Sequence, residues 1–531
     1  MSSLLKSNLA VASGTATSRL TGLLRVMAFS YVLGRSSLTD AYNQANASPN
    51  LVYELLIGGV LSSTLVPVFT RLRHERDEAG EIAVRSVALV VLAGITALAV
   101  VASPLIFRLY ATRPSADVDS NLYQEVGSTL AAFFLIQIFF YGLNAVIGAQ
   151  LQARQRFFAA AWAPALSNVV IIATLLMVPH VLDGAAPTLE EALTNSTFRW
   201  TLGLGATAGI AVMALALVPS LSRAGVSLAF RPRFRHPAVR RLRQLGAWAL
   251  AYVVANQVAI VVVQNLLVNS GSGNQTAYLY GYTFFVLPHG LLGVSIATTF
   301  TPEMSRAVAA KDKARLINRA DPGIRMVALL TVPAGFGLFV LRRAIAGVAL
   351  EHGKCDAACG LAASRTLAGF SLGLGAFSVY LFALKAFYSH QDARTPAILN
   401  IGENLVNVVL AFVLFRHFGV IGIAASFAIA YVVAALWTLQ VLSYKVTGFG
   451  LRSVFAALYR ILLASVVMAE AVWAVTRLVG SNEGAGAVVR IAVGGAAGIG
   501  VYLGLLAVLG APELTTLRTR LRPSASGGAT H

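Results

Sequence analysis

The chain has 531 residues, of which 57% are apolar and only 12% charged. Soluble domains carry about 25% charged residues, so the composition excludes an ordinary water-facing fold. The net charge of +19 would fit nucleic-acid binding, but membrane proteins gather Lys and Arg in their cytoplasmic loops, and no nucleic-acid partner is expected.

In chain order, the apolar residues fall into runs such as Ile82–Leu105 and Trp200–Leu221, near the ~20 residues a helix needs to cross hydrocarbon. The short alternating segments of a β-barrel are not seen. The expected spans are 6–33, 41–70, 83–110, 121–148, 157–180, 198–221, 244–268, 277–304, 324–349, 362–388, 395–415, 419–443, 454–476 and 488–510. The first carries Ser13, Thr15, Thr17, Ser18 and Arg19 and reads as an uncleaved helix, not a signal peptide. The expectation is an all-α polytopic membrane protein with fourteen transmembrane helices.

An even number of crossings puts both termini on one side. With the N-terminus inside, the cytoplasmic segments hold 26 of the 41 basic residues, and the opposite loops and helix ends hold 11. Both termini are therefore expected in the cytoplasm. The chain also repeats weakly: Gly58–Arg71 parallels Gly293–Arg306, and Pro164–Asn168 parallels Pro396–Asn400. An offset of six helices preserves orientation, so two lobes would be related by a pseudo-two-fold axis along the membrane normal, as in secondary transporters. The expected organisation is an N-lobe over 1–225, a C-lobe over 226–446, two further helices over 447–512, and a disordered cytoplasmic tail over 513–531.

The two cysteines, Cys355 and Cys359, are too few for a disulfide framework or a zinc site. They could form a local disulfide if their loop faces an oxidising compartment, and the sequence leaves that open.

Polar residues inside the spans carry the functional signal. Arg19 and Arg25 lie in the first helix, and each arginine near mid-membrane costs about 2.5–3.5 kcal/mol on insertion scales. Six residues of rotation set them about 120° apart, within reach of one cavity through long stems. Guanidinium forks without a neighbouring carboxylate suit a phosphate; snorkelling to the interface is the alternative. Asp40 fits either a helix cap or a ligand contact, and Glu54 either an ion pair or proton exchange. Asn400, Glu403, Asn404 and Asn407 share one helix face, which could hold a cation such as Na⁺ or make interhelical hydrogen bonds. Lys385 and Arg460 suit interface anchoring. Pro49, Pro288 and Pro333 mark helices that can be broken where they line a cavity, and Gly494–Gly498 suits close helix packing. The one GxSxG, Gly369–Gly373, falls inside a span, where the strand-turn-helix of a nucleophile elbow cannot form. No ATP-binding loop or metalloprotease motif occurs, and no enzyme activity or cofactor is expected beyond coupling to Na⁺ or H⁺.

Ser18–Arg25 (SRLTGLLR), Thr39–Tyr42 with Pro49-Asn50, Gly58–Phe69, Phe285–Arg306 and Phe387–Pro396 together resemble the MurJ/MviN family. The resemblance covers the first twelve helices. It implies the fold of the multidrug/oligosaccharidyl-lipid/polysaccharide exporter superfamily. It also implies a cationic cavity, and alternating access that carries the peptidoglycan precursor lipid II from the inner to the outer leaflet of the cytoplasmic membrane. Arg19 and Arg25 match arginines the family uses on the pyrophosphate, and Asp40 matches its acidic residue at the second helix. Where many members have arginines in the second and eighth helices, this chain has Tyr53 followed by Glu54, and Thr283. These six residues form the expected substrate site. The implied partners are lipid II, membrane lipid and cell-wall synthesis proteins, with a role in peptidoglycan synthesis and cell shape. Export of another polyprenyl-linked saccharide or of cationic small molecules, and a non-transporting cell-wall scaffold, are the rival readings.

Overall fold

A computed structural model describes residues 3–53, 61–239, 247–390 and 392–512. Every regular element among them is helical. Glu54, the side chain of Tyr53 and the tail over 513–531 lie outside the described residues.

The chain divides into two compact units, Met1–Tyr280 with Leu350–Cys359, and Gly281–Ala349 with Gly360–His531. The first unit holds α1 (Ser3–Leu33), α2 (Ser37–Tyr53), α3 (Leu61–His74), α4 (Glu78–Val101), α5 (Ser103–Tyr110), α6 (Ser120–Leu135), α7 (Gln137–Ala153), α8 (Phe158–Leu182), α9 (Leu189–Thr194), α10 (Ser196–Leu215), α11 (Val218–Ser222), α12 (Ala247–Asn269) and the start of α13 (Asn274–Pro288). Short polar caps start several of these helices. The carboxylate of Asp77 accepts from Gly80 N–H before α4, and that of Asp119 from Asn121 and Leu122 N–H before α6, satisfying donors that a helix start leaves open. The expected span over 83–110 is broken at Ala102, where Pro104 sits in the first turn of α5; proline lacks the N–H that would continue the α4 ladder.

The second unit holds the rest of α13, a π-turn over His289–Gly293, α14 (Val294–Ala309), α15 (Lys313–Leu350), α16 (Ala357–Ser371), α17 (Leu374–Ser389), α18 (Arg394–Lys445), α19 (Leu451–Leu478) and α20 (Gly484–Val508). The π-turn follows Pro288, a common cause of such a break. The expected spans 395–415 and 419–443 are the two halves of α18, separate helices that meet at Gly419, whose φ of 56° is non-helical and favours glycine. The Gly369–Gly373 motif joins α16 to α17 at a 50° bend. Ser371 there is fully buried and donates to Leu367 O; it is a helix break, not a nucleophile. In α20 a Cβ on Gly498 would meet Val472 at 2.8 Å, whereas one on Gly495 would meet nothing within 4 Å, so a small-residue stripe lets α20 pack closely on α19.

Among the described residues, nine helices are long and apolar enough to cross a membrane, and the bent pair α16–α17 makes a tenth. Leucines on these faces stay open, with Leu98 71%, Leu105 73% and Leu405 64% exposed. Apolar exposure on that scale in water would drive aggregation; in hydrocarbon it costs nothing. The chain is an all-α, multi-pass membrane protein.

Candidate functional site

The site begins with how α1 meets α8. Asn168 Nδ2 in α8 donates to Ser18 O at 3.2 Å and to Thr21 Oγ1 at 3.0 Å, and a Cβ on Gly14 would meet Trp162 at 2.8 Å. Gly14, Ser18, Thr21 and Gly22 thus form the stripe of α1 that lies on α8, following the three- and four-residue spacing of helix neighbours. Arg25 continues that stripe one turn further and is half-buried, whereas Arg19, about 120° away around the helix, is exposed.

Arg25 lies close enough to Tyr42 of α2 for its charge to act on the phenol, as does Tyr141 of α7. The Tyr42 ring packs 5.1 Å from Phe29 and 5.0 Å from Phe134. Among the described residues, neither arginine has a carboxylate partner. A further polar layer lies inside the same unit. Buried Gln137 donates, at 3.4 Å each, to Asn46 Oδ1 and Thr207 Oγ1. The first unit therefore buries polar groups at Gln137 and Thr207, with Arg25 half-buried and Arg19 exposed on the same helix.

Asp40 is fully occupied by protein. One carboxylate oxygen accepts from Gly273 N–H at 2.6 Å, and the other from Thr276 N–H at 2.8 Å and Thr276 Oγ1 at 2.7 Å. It therefore caps the start of α13, not the helix it belongs to, whose first turn is closed by Ser36 and Thr39. Arg35 works beside it, donating to Gly273 O at 3.1 Å, Ser272 O at 3.2 Å and Asn274 Oδ1 at 2.8 Å. Tyr280 donates to Gly34 O at 3.0 Å, and Lys354 N–H to Tyr31 O at 2.8 Å. Three stretches distant in sequence are stitched together at the C-terminal end of α1. Arg35 and Thr276 carried no sequence signal, because the pairing joins residues more than 230 positions apart and nothing local marks it.

Cys355 and Cys359 form a disulfide beside this cluster, closing the question the sequence left open. Thr283 is half-buried in α13, within the second unit. In that unit Asn400, Glu403, Asn404 and Asn407 are all buried on α18. Asn404 Nδ2 donates to Asn400 O at 2.9 Å and to Asn400 Oδ1 at 3.1 Å, and Ser426 Oγ donates to Asn407 Oδ1 at 3.0 Å. The Glu403 carboxyl has no hydrogen-bond or ion-pair partner among the described residues. No cluster of three or more His, Cys, Asp or Glu side chains occurs there or elsewhere among them.

Comparison with known proteins places the chain. A family model described as lipid II flippase MurJ matches residues 29–494. A probable lipid II flippase MurJ of Rhizobium meliloti (strain 1021) is 27% identical over 477 residues, covering 89% of this chain and 86% of that protein. A solved structure of lipid II flippase MurJ in an inward closed conformation is 20% identical, with a TM-score of 0.76, over 94% of this chain and 98% of that one. An inward-facing multidrug resistance transporter of the MATE family and MOP superfamily is 15% identical, with a TM-score of 0.63, over 81% of this chain and 96% of that one. The two structures bear on the fold.

Proposed function

Because the chain belongs to the lipid II flippase MurJ family, we propose that it moves lipid II from the inner to the outer leaflet of the cytoplasmic membrane by alternating access. The obstacle is the head group, since sugars, peptide and pyrophosphate cannot enter hydrocarbon without partners for their polar atoms. The protein offers a hydrated path for the head and leaves the polyprenyl tail in lipid. No covalent bond is made or broken.

The observation that carries this reading is the pair Arg19 and Arg25, two guanidinium groups on one helix with no carboxylate partner among the described residues. In this reading they grip the pyrophosphate, with Tyr53, Glu54 and Thr283 lining the path. Asp40 has a positioning part in this reading, since its carboxylate is taken up by Gly273 and Thr276 and fixes the start of α13 within the first unit. Moving two negative charges out of a negative interior is favoured by about 4–5 kcal/mol at about 100 mV, so the membrane potential can drive export. Glu403 with Asn400, Asn404 and Asn407 is the proposed place for a coupling Na⁺ or H⁺.

The same reading takes fourteen crossings in two six-helix lobes plus α19 and α20. Ten crossings are long and apolar enough as they stand. The kink at Gly419 divides α18 into two, and α1, α2 with α3, and α12 supply the remainder. Both termini lie in the cytoplasm, an orientation supported by the basic segments and by the disulfide, which belongs in an oxidising compartment and falls in a loop assigned to the outside.

The test is depletion of the protein, followed by an assay for lipid II trapped on the cytoplasmic face. Expression of the wild type should release it, and an Arg19→Ala/Arg25→Ala double variant present at wild-type level should not. Release by that variant would defeat the reading.

A further inference from the structure

A cavity of about 550 Å³ opens between α5 and α6, at the end of the first unit that carries the Asp40 cluster. Its lining joins charges of both signs. Arg108 of α5 and Glu125 of α6 both face it, yet no ion pair joins them, and neither side chain has a partner among the described residues. On α6 the lining residues Ser120, Asn121, Gln124, Glu125 and Ser128 form one helical stripe. That stripe is about 12 Å long.

The neighbouring stripe of α5 is lipid-facing, with Leu105 73% and Leu109 50% exposed. Polar, charged lining residues beside exposed leucines suit an occupant with a polar head and an apolar tail. Gln124 is also short of a partner: its amide N–H donates to Ala111 O, while its Oε1 is buried without a hydrogen-bond partner. The start of α6 supplies no anion site, because Asp119 already accepts from the N–H groups of Asn121 and Leu122. Arg108 is therefore the group left for an anion, and Glu125 the group left for a cation that carries N–H donors.

We propose that this cavity binds the head group of a phosphatidylethanolamine molecule from the adjoining leaflet. The phosphodiester pairs with Arg108, the primary ammonium donates to Glu125, and the acyl chains lie along Leu105 and Leu109. Phosphatidylglycerol, which has no ammonium, would leave Glu125 unpaired. A quaternary ammonium head has no N–H to give. The proposal rests on the chain lying in a membrane and is independent of flippase activity.

The test uses the full chain purified in detergent, with thermal unfolding followed during titration by dioleoyl-phosphatidylethanolamine, dioleoyl-phosphatidylcholine or free O-phosphoethanolamine. Saturable stabilisation is expected from the ethanolamine lipid, at an apparent affinity about two- to five-fold above that for the choline lipid, the range an exposed ion pair supports. Glu125→Gln should abolish that preference, and Arg108→Gln should weaken both lipids. Arg113→Gln, a nearby exposed arginine outside the cavity, should change neither. Equal affinity of the wild type for the two lipids would overturn the proposal, and needs no variant to fold. So would a preference that survives Glu125→Gln, or stabilisation by O-phosphoethanolamine equal to that by the lipid, which would mark a site for free anions.

Discussion

The Asp40 carboxylate of α2 and the backbone N–H of Gly273, 233 positions further along the chain, meet at 2.6 Å. With two more hydrogen bonds from Thr276, this one side chain ties the start of α2 to the start of α13. Asp40→Ala leaves three donors without that partner in a buried place, a loss of about 1–3 kcal/mol for each donor that stays unpaired. Thermal unfolding in detergent should register a clear drop, with a smaller one for Asp40→Asn, which keeps one acceptor oxygen. An unchanged midpoint for Asp40→Ala would show that the contact does not hold the start of α13 in place.

Arg19 and Arg25 predict a substitution pattern that separates charge from shape. Lysine keeps the charge but loses the planar fork that pairs with two phosphate oxygens at once. Arg25→Lys should therefore retain part of the flipping rate, and Arg25→Ala should lose about ten-fold or more, as expected when one charged hydrogen-bonded contact of about 1.5–3 kcal/mol is removed. The measurement is lipid II accessibility in vesicles. Equal rates for Ala, Lys and Arg at both positions would remove these residues from the substrate path.

Asp392, in the loop before α18, accepts from Lys445 Nζ at 2.6 Å and from Thr395 N–H at 3.0 Å. Partial burial alone would push its carboxyl up, but the bonds from Lys445 and from the Thr395 N–H and hydroxyl outweigh it and hold the group at about 2. A depressed folded value means the stabilisation is present above the unfolded value near 4 and is lost as pH falls towards 2. Because the pair is partly exposed, Asp392→Asn should cost no more than about 1 kcal/mol at neutral pH. The gap between wild type and variant should close between pH 4 and pH 2. A gap that stays constant across that window would contradict the assignment.

The Cys355–Cys359 disulfide is almost wholly buried, with the two residues 1% and 3% exposed. Folded protein should take up no thiol-alkylating reagent, and unfolding with reductant should expose two thiols. Cys355→Ser/Cys359→Ser should lower the unfolding midpoint by a measurable margin, since a cross-link closing so short a loop contributes about 2 kcal/mol. Alkylation of the folded, unreduced chain would show free thiols.

Two glycines on α15 make a paired test of helix packing. A Cβ on Gly335 would meet Ser371 O at 2.5 Å, whereas one on Gly337 would meet nothing within 4 Å. Gly335→Ala should cost about 1–3 kcal/mol through overpacking, and Gly337→Ala should be neutral or gain up to about 1 kcal/mol of helix propensity. Equal effects on the unfolding midpoint would mean that α15 and α16 do not approach this closely.

The sequence by itself determined the membrane-spanning, all-helical class, because hydrocarbon rewards long apolar runs whatever surrounds them. It also marked Arg19, Arg25 and Glu403 as anomalies, since a charged side chain inside a long apolar run is costly in hydrocarbon before any partner is known. Only the tertiary structure decided what those groups meet. It alone revealed that Asp40 caps α13, that Gly369–Gly373 is a bend between packed helices, and that Arg108 and Glu125 share a groove. Each is a relation between helices, and hydropathy describes a helix against solvent, one segment at a time. It carries no record of which helix lies alongside.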